Sequence, residues 1–136
     1  MSFWRRLFGG TERQVRAGDV FLMPLQTGPY GACRVIRVGD LSKARPGAFF
    51  GESRALVVAT AWTGTARPEL SDRRLKEYFI STKFKPDGEI LAIWAMGLPP
   101  DSFIHIGRLP PTKDELNLEV GSSGWEWLSL GIVSEE

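Results

Sequence analysis

Residues 54–62 read RALVVATAW, and this stretch decides the fold class. Its alternate residues form two rows, one starting at Ala55 and one at Leu56, and both rows are largely apolar. A strand that is apolar on both faces is typical of the interior of a covered sheet. We therefore predict a central β-strand over Arg54–Trp62, with other parts of the chain packed on both of its faces.

The flanking sequence predicts more strands joined by turns. Val20–Leu25 and Ala32–Val38 lie on either side of a Gly/Pro-rich stretch, which is the pattern of a β-hairpin. Pro24 has no N–H, so its strand is expected at an edge of the sheet or with a bulge. The other predicted strands are Phe79–Phe84, Glu89–Met96, Ser102–Gly107 and Trp125–Val133.

Helical signals are few. Ser71–Phe79 is predicted to form a short helix capped by Ser71, and Thr112 with Glu115 has the spacing of a capping box. The predicted fold class is mainly β with a minor α component. We expect a strongly curved antiparallel sheet or a small SH3-like barrel, with one short helix packed on it. Trp94 is expected in the core.

The length of 136 residues fits one domain. We predict an N-terminal tail over residues 1–14 and a single β domain over residues 15–136. No stretch of about 20 apolar residues is present, so no transmembrane helix is predicted and a cytoplasmic location is expected. The tail carries Phe3, Trp4, Leu7 and Phe8 beside two arginines, and a weak membrane-surface contact is the alternative to docking on the domain.

Reactive residue types are scarce. A single cysteine, Cys33, excludes an internal disulfide and a cysteine-based zinc site, and a single histidine, His105, excludes a multi-histidine metal site. We interpret Cys33 as a small apolar strand residue and His105 as a half-buried structural or interface residue. No catalytic residue, no metal and no cofactor is predicted, and the chain is expected not to be an enzyme.

Charge is unevenly distributed although the net charge is only +1. A near-neutral total argues against a dedicated nucleic-acid-binding protein. Residues 110–136 carry one Lys and six Asp or Glu, and such an acidic region suits a basic partner protein. Large aromatic side chains commonly anchor protein interfaces. The predicted partner-binding residues are Trp62, Asp114, Glu115, Glu119, Trp125, Glu126 and Trp127.

Three stretches carry a resemblance to a known family. Gly18–Leu25 and Gly28–Val35 contain a Gly-Asp step, an apolar strand ending in Pro-Leu, a Gly/Tyr turn and a strand that begins Gly-x-x-Arg-Val. Ser102–Pro110 ends in a Gly-x-Leu-Pro element. These features resemble the immunity protein 26 family of bacterial polymorphic toxin systems. The resemblance implies a mostly β protein, without catalysis, that binds and neutralises a cognate toxin protein.

Two alternatives remain open. Gly18-Asp19-Val20 and Ser53–Thr60 are similar to segments of the MazF-type toxin ribonucleases, and that resemblance implies RNA cleavage with Arg54 and Thr60. An SH3-like adaptor that binds a peptide or an RNA through surface aromatic side chains is the other alternative.

Overall fold

The computed structural model of the chain describes residues 15–40, 53–82, 85–118 and 126–134. The predicted tail, including its membrane-surface alternative, lies outside these residues. So do two of the predicted partner-binding residues, Glu119 and Trp125.

Short strands dominate the described residues, in agreement with the predicted fold class. The strands are β1 (Asp19–Pro24), β2 (Tyr30–Asp40), β3 (Ser53–Gly64), β4 (Ile80–Ser81), β5 (Glu89–Ile90), β6 (Ala92–Met96) and β7 (Ile104–Arg108). The helical elements are a 3-10 turn at Arg73–Leu75, α1 (Lys113–Leu116) and α2 (Trp127–Ser134). No helix among the described residues has the length and apolar character that crossing a membrane requires.

Five strands form one antiparallel sheet in the order β6-β3-β2-β1-β7, and β4 pairs with β5 in a separate ladder. The predicted hairpin is confirmed as β1 and β2, and the predicted central strand is confirmed as β3, which lies between β2 and β6. The two end strands, β6 and β7, do not pair with each other, so the described strands form an open sheet, as a curved sheet does, rather than a closed barrel.

Pro24 was expected in an edge strand or at a bulge, but β1 is not an edge strand, because it lies between β2 and β7, and its register shift lies at Val20/Phe21 rather than at Pro24. Pro24 pairs with Tyr30 of β2, whereas the pairing of β1 with β7 stops at Leu22. The missing N–H therefore removes no hydrogen bond from the β1–β7 ladder. A register shift lies between Val20 and Phe21, and two more interrupt the β2–β3 pairing. Such irregularities bend a sheet and increase its twist.

One face of the sheet packs against α2. Its buried cluster contains Phe21, Met23, Cys33, Val35, Ala55, Val57, Ala59, Leu91, Ile93, Ala95, Phe103, Trp127 and Leu130. The Trp127 ring meets Phe21 edge to face at 5.7 Å and Phe103 at 5.9 Å. The prediction of a final strand over Trp125–Val133 is wrong, because residues 127–134 form a helix. The apolar residues of this stretch fit a period of two and a helical period about equally well in the sequence.

The opposite face carries two smaller buried clusters. The first contains Val20, Leu22, Ala32, Trp62, Leu75 and Ile106, and the second contains Ile36, Leu56, Val58 and Ala92. The chain from Arg73 to Tyr78 and the α1 segment cover this face. Trp94, expected in the core, packs on the second cluster but is only partly buried.

The predicted helix over Ser71–Phe79 is wrong except for its 3-10 turn. Asp72 rather than Ser71 caps that turn, since its side chain accepts from Arg74 N at 3.0 Å. Beyond the turn the chain is extended: Phe79 N donates to Ala59 O at 2.9 Å, and Ala61 N donates to Glu77 O at 2.9 Å. Pairing with β3 therefore overrides the local preference for a helix.

The predicted strand Glu89–Met96 is present as β5 and β6, which are separated at Leu91. Leu91 O accepts from Ala59 N at 2.9 Å, and Leu91 N donates to Phe79 O at 3.2 Å. The predicted strand Ser102–Gly107 corresponds to β7, which is shifted by one or two residues. Of the strand predicted over Phe79–Phe84, only β4 is present in the described part.

Candidate functional site

An arginine lies in the middle of the most buried hairpin. Arg34 stands in β2 between Cys33 and Val35, and its side chain is 1% exposed. Its register partners are Val20 of β1 and Val58 of β3, so it lies between the two apolar clusters of the second face. A cation in such a place is unfavourable unless it is paired and hydrogen-bonded.

The partner of Arg34 is Glu115 of α1. Arg34 Nη1 donates to Glu115 Oε1 at 3.1 Å, and Nη2 donates to Oε2 of the same carboxylate. Arg34 Nη1 also lies 3.5 Å from Leu109 O. A bidentate ion pair of this kind fixes both the position and the orientation of the two side chains, because the guanidinium and the carboxylate are planar and complementary. It therefore holds the α1 segment on the sheet.

Two more side chains complete the pair. The hydroxyl of Tyr78 donates to Glu115 Oε2. Thr112 N donates to Glu115 Oε1 at 2.9 Å, and Glu115 N donates to Thr112 Oγ1 at 3.1 Å, which confirms the predicted capping box. We call Arg34, Tyr78, Thr112 and Glu115 the Arg34 centre. It joins β2, the segment that follows the 3-10 turn, and α1.

The protonation state of the Arg34 centre follows from its contacts. Burial raises the pKa of Glu115, but hydrogen bonds from Arg34, Tyr78 and the Thr112 backbone outweigh it, and the pKa falls to about 2. Burial, and then the hydrogen bond to the Glu115 carboxylate, raise the pKa of Tyr78 to about 12. Glu115 is thus ionised and Tyr78 neutral near pH 7. Neither pKa lies near the value that proton transfer at neutral pH requires.

Arg37, three positions after Arg34 in β2, has different partners. Its guanidinium lies over the Trp94 ring at 5.4 Å from the centroid, and Nη1 donates to Leu116 O at 2.8 Å and to Leu118 O at 2.9 Å. These acceptors are neutral carbonyls at the end of α1. Arg37 therefore anchors the end of α1 while it keeps its positive charge.

His105 belongs to a second polar contact, which joins β7 to β1. Its Nε2 donates to Asp19 Oδ1 at 3.1 Å, since a carboxylate accepts hydrogen bonds. Asp19 is almost fully buried, and its Oδ2 accepts from Arg16 N at 2.8 Å. The His105 ring packs edge to face on Phe21 at 5.2 Å, and its side chain is 46% exposed. The structure thus shows His105 half-buried and paired.

The predicted partner-binding residues are distributed over the interior and the surface. Trp62 and Trp127 are 3% and 4% exposed and belong to the two sides of the core. Glu115 is occupied by Arg34 and Tyr78. Asp114 and Glu126 are exposed. Only these last two, among the described members of the set, present their side chains fully to solvent.

The two residues that the ribonuclease alternative requires do not lie close together in space. Arg54 and Thr60 lie on one strand, six positions apart, which corresponds to roughly 20 Å along the chain. Thr60 is buried, and its Oγ1 donates to Ala32 O at 3.0 Å. Cys33 is fully buried, and burial raises the pKa of its thiol. Within the described ranges, no group of three or more His, Cys, Asp or Glu side chains could hold a metal ion.

Sequence reasoning missed the Arg34 centre. Arg34 and Glu115 are separated by 81 positions, so no local pattern relates them. The available signal was an arginine enclosed by apolar neighbours in a predicted strand, because a buried arginine requires a carboxylate or several carbonyls. Tyr78 lies in the stretch that was predicted as a helix, and its pairing with Glu115 was not anticipated.

The three stretches that carry the family resemblance meet at Gly18. Gly18 O accepts from Leu109 N at 2.8 Å, and Gly18 N donates to Val35 O at 2.7 Å. Gly18 has φ +96°, and a Cβ at this position would lie 3.0 Å from Pro110 Cα. A glycine is therefore needed at position 18, both for the backbone conformation and for the close approach of the Leu-Pro element.

No protein-family model, no curated protein and no solved structure matches the chain.

Proposed function

We propose that this chain is an immunity-type binding protein, which neutralises a cognate bacterial toxin in the cytoplasm by direct protein–protein contact. The observation that carries the proposal is the contact between Gly18 and the Leu109–Pro110 step. It joins the Gly-Asp step and the Gly-x-Leu-Pro element on which the resemblance to the immunity protein 26 family depends. The resembling residues thus form one structural unit.

Other residues of the resemblance support the same interpretation. Arg34 of the Gly-x-x-Arg-Val element holds Glu115, and Asp19 of the Gly-Asp step holds His105. The charged and polar residues of these motifs therefore pair within the chain and stabilise its fold. In such a protein, a toxin would be recognised by side chains on the surface of that fold.

The proposal is tested by recovery of the partner. The chain, carrying an affinity tag, is purified from the cells that encode it, and a stoichiometric partner is identified by mass spectrometry. We expect a protein that stops growth when it is expressed alone and no longer does so when this chain is co-expressed. A partner without toxicity, or toxicity that co-expression does not relieve, would contradict the proposal.

The ribonuclease alternative is tested with the purified chain alone. If it cleaves RNA and Arg54→Ala abolishes the cleavage, the immunity proposal fails. A catalytically inert chain that inhibits a separately purified toxin in a one-to-one ratio supports it. The adaptor alternative predicts binding to a partner whose activity the chain leaves unchanged.

A further inference from the structure

A patch of two arginines and apolar side chains lies on the α1-covered face, towards one end of the sheet. Strand pairing aligns Arg37 of β2, Leu56 of β3 and Trp94 of β6 in one row across the sheet. The next row along the same three strands contains Gly39, Arg54 and Met96. Register partners share a face, and so do residues two positions apart on a strand. The two rows are therefore adjacent on the same face. We call Arg37, Arg54, Trp94, Met96 and Leu116 the cationic end.

Arg54 has no counter-charge among the residues that the structure describes. None of the ion pairs between described residues includes it. Its Nε is buried and has no hydrogen-bond partner within the described part of the chain. The position beside it in β2 is Gly39, where an added Cβ would meet nothing within 4 Å. Arg54 is partly exposed, so an acceptor has room, among the described residues, to approach its side chain beside Gly39.

Arg37 contributes a second, fixed positive charge. The Trp94 ring and the carbonyls of Leu116 and Leu118 hold its guanidinium in place without neutralising it. A cation held in this way loses little side-chain freedom when it binds a carboxylate, which favours affinity. Arg37 and Arg54 therefore place two positive charges at the cationic end.

Apolar surface surrounds the two charges. Leu116 is 44% exposed, and both Trp94 and Met96 are partly exposed. A single-stranded or duplex nucleic acid requires a longer track of cations that follows several phosphates. Two guanidinium groups among leucine, methionine and tryptophan instead match a protein segment that carries a carboxylate next to an apolar side chain.

We propose that the cationic end binds an acidic segment of the partner protein. A carboxylate of that segment meets Arg54, and a neighbouring apolar side chain packs on Met96 and Leu116. This inference rests on the binding role proposed above and names the chemistry of the partner surface. It also differs from the sequence-based expectation, in which acidic residues of this chain bound a basic partner.

The test selects peptides from a displayed random library on the immobilised chain, on the Arg54→Ala variant and on the Arg73→Ala variant. Arg73 is exposed and belongs to the 3-10 turn, so its substitution removes the same charge from another surface. We expect the chain and Arg73→Ala to select sequences in which Asp or Glu adjoins an apolar residue. Arg54→Ala should lose that selection and bind the selected peptides at least about tenfold more weakly.

Several results would overturn the inference. They are the selection of neutral or basic peptides, no selection at all, and selection that Arg54→Ala leaves unchanged. Tighter binding of a single-stranded RNA oligonucleotide than of any selected peptide, with dependence on Arg54, would also overturn it. Thermal unfolding of Arg54→Ala confirms that the variant is folded. Toxin capture is measured in a separate experiment. Loss of peptide binding at the cationic end can therefore be distinguished from failure of the proposed function.

Discussion

Arg34 and Arg54 lie on the same face of one sheet, yet their surroundings differ completely. Arg34 is enclosed, and Glu115, Tyr78 and Thr112 complete its ion pair. Arg54 is only partly buried and has a buried Nε without a partner in the described residues. Burial together with a fixed carboxylate makes Arg34 contribute to the stability of the fold. Arg54 has no carboxylate partner among the described residues, and its proposed role is to bind one of a partner protein.

The largest expected effect is the loss of the enclosed arginine. Arg34→Ala removes one member of a buried pair and leaves Glu115 without its cation, so the free energy of unfolding should fall by about 3–5 kcal/mol. Urea unfolding followed by tryptophan fluorescence measures it. The double variant with Glu115→Ala should cost less than the sum of the two single variants. Additive effects would show that the pair is not energetically coupled.

A second effect is the pH dependence of stability. The pKa of Glu115 is about 2 in the folded chain, below its ordinary value of 4.5. A lowered folded-state pKa gives stability that is present above the ordinary value and lost as the pH falls through the folded value. Stability should therefore decline between about pH 5 and pH 2, and part of this decline should disappear in Glu115→Gln. An identical pH profile in the variant would contradict the assignment.

Tyr78→Phe should have a smaller effect. It removes one hydrogen bond to the Glu115 carboxylate and leaves the donors from Arg34 and Thr112 in place. The expected loss is about 1–2 kcal/mol, since one partner of the hydrogen bond is a charged group. Chemical denaturation measures it, with Tyr30→Phe as the matched control. Equal losses in the two variants would show that the Tyr78 hydroxyl has no special role.

The smallest expected effect on stability belongs to Arg54. Arg54→Ala breaks no ion pair between described residues, so the free energy of unfolding should change by no more than about 0.5 kcal/mol. Differential scanning calorimetry beside Arg73→Ala provides the comparison. A loss as large as that of Arg34→Ala would remove the distinction between the two arginines.

Local sequence signals predicted the parts of the fold that depend on neighbouring residues. The β1–β2 hairpin, the central strand β3 and the Thr112–Glu115 capping box follow from turn residues, apolar alternation and helix-start spacing. Tertiary contacts decided the rest. Tyr78 and Phe79 pair with β3 instead of continuing a helix, and residues 127–134 form a helix whose Trp127 and Leu130 pack on the sheet.

The candidate sites were harder to predict for the same reason. Arg34 and Glu115 meet across 81 positions, and the two rows of the cationic end come from three strands. Trp62 and Trp127 were predicted as partner-binding residues because large aromatic side chains commonly anchor interfaces, but both rings are buried. Residue type alone therefore did not separate a core aromatic side chain from a surface one.

The most direct test of the central claim is an inhibition titration with the captured toxin. We expect the chain to abolish the toxin's activity at a one-to-one ratio, Arg73→Ala to behave identically, and Arg54→Ala to require at least about tenfold more protein. Inhibition by a catalytic amount of the chain, or no inhibition at equimolar chain, would contradict the claim that it acts by stoichiometric binding. Equal inhibition by the chain and Arg54→Ala would contradict the role of the cationic end.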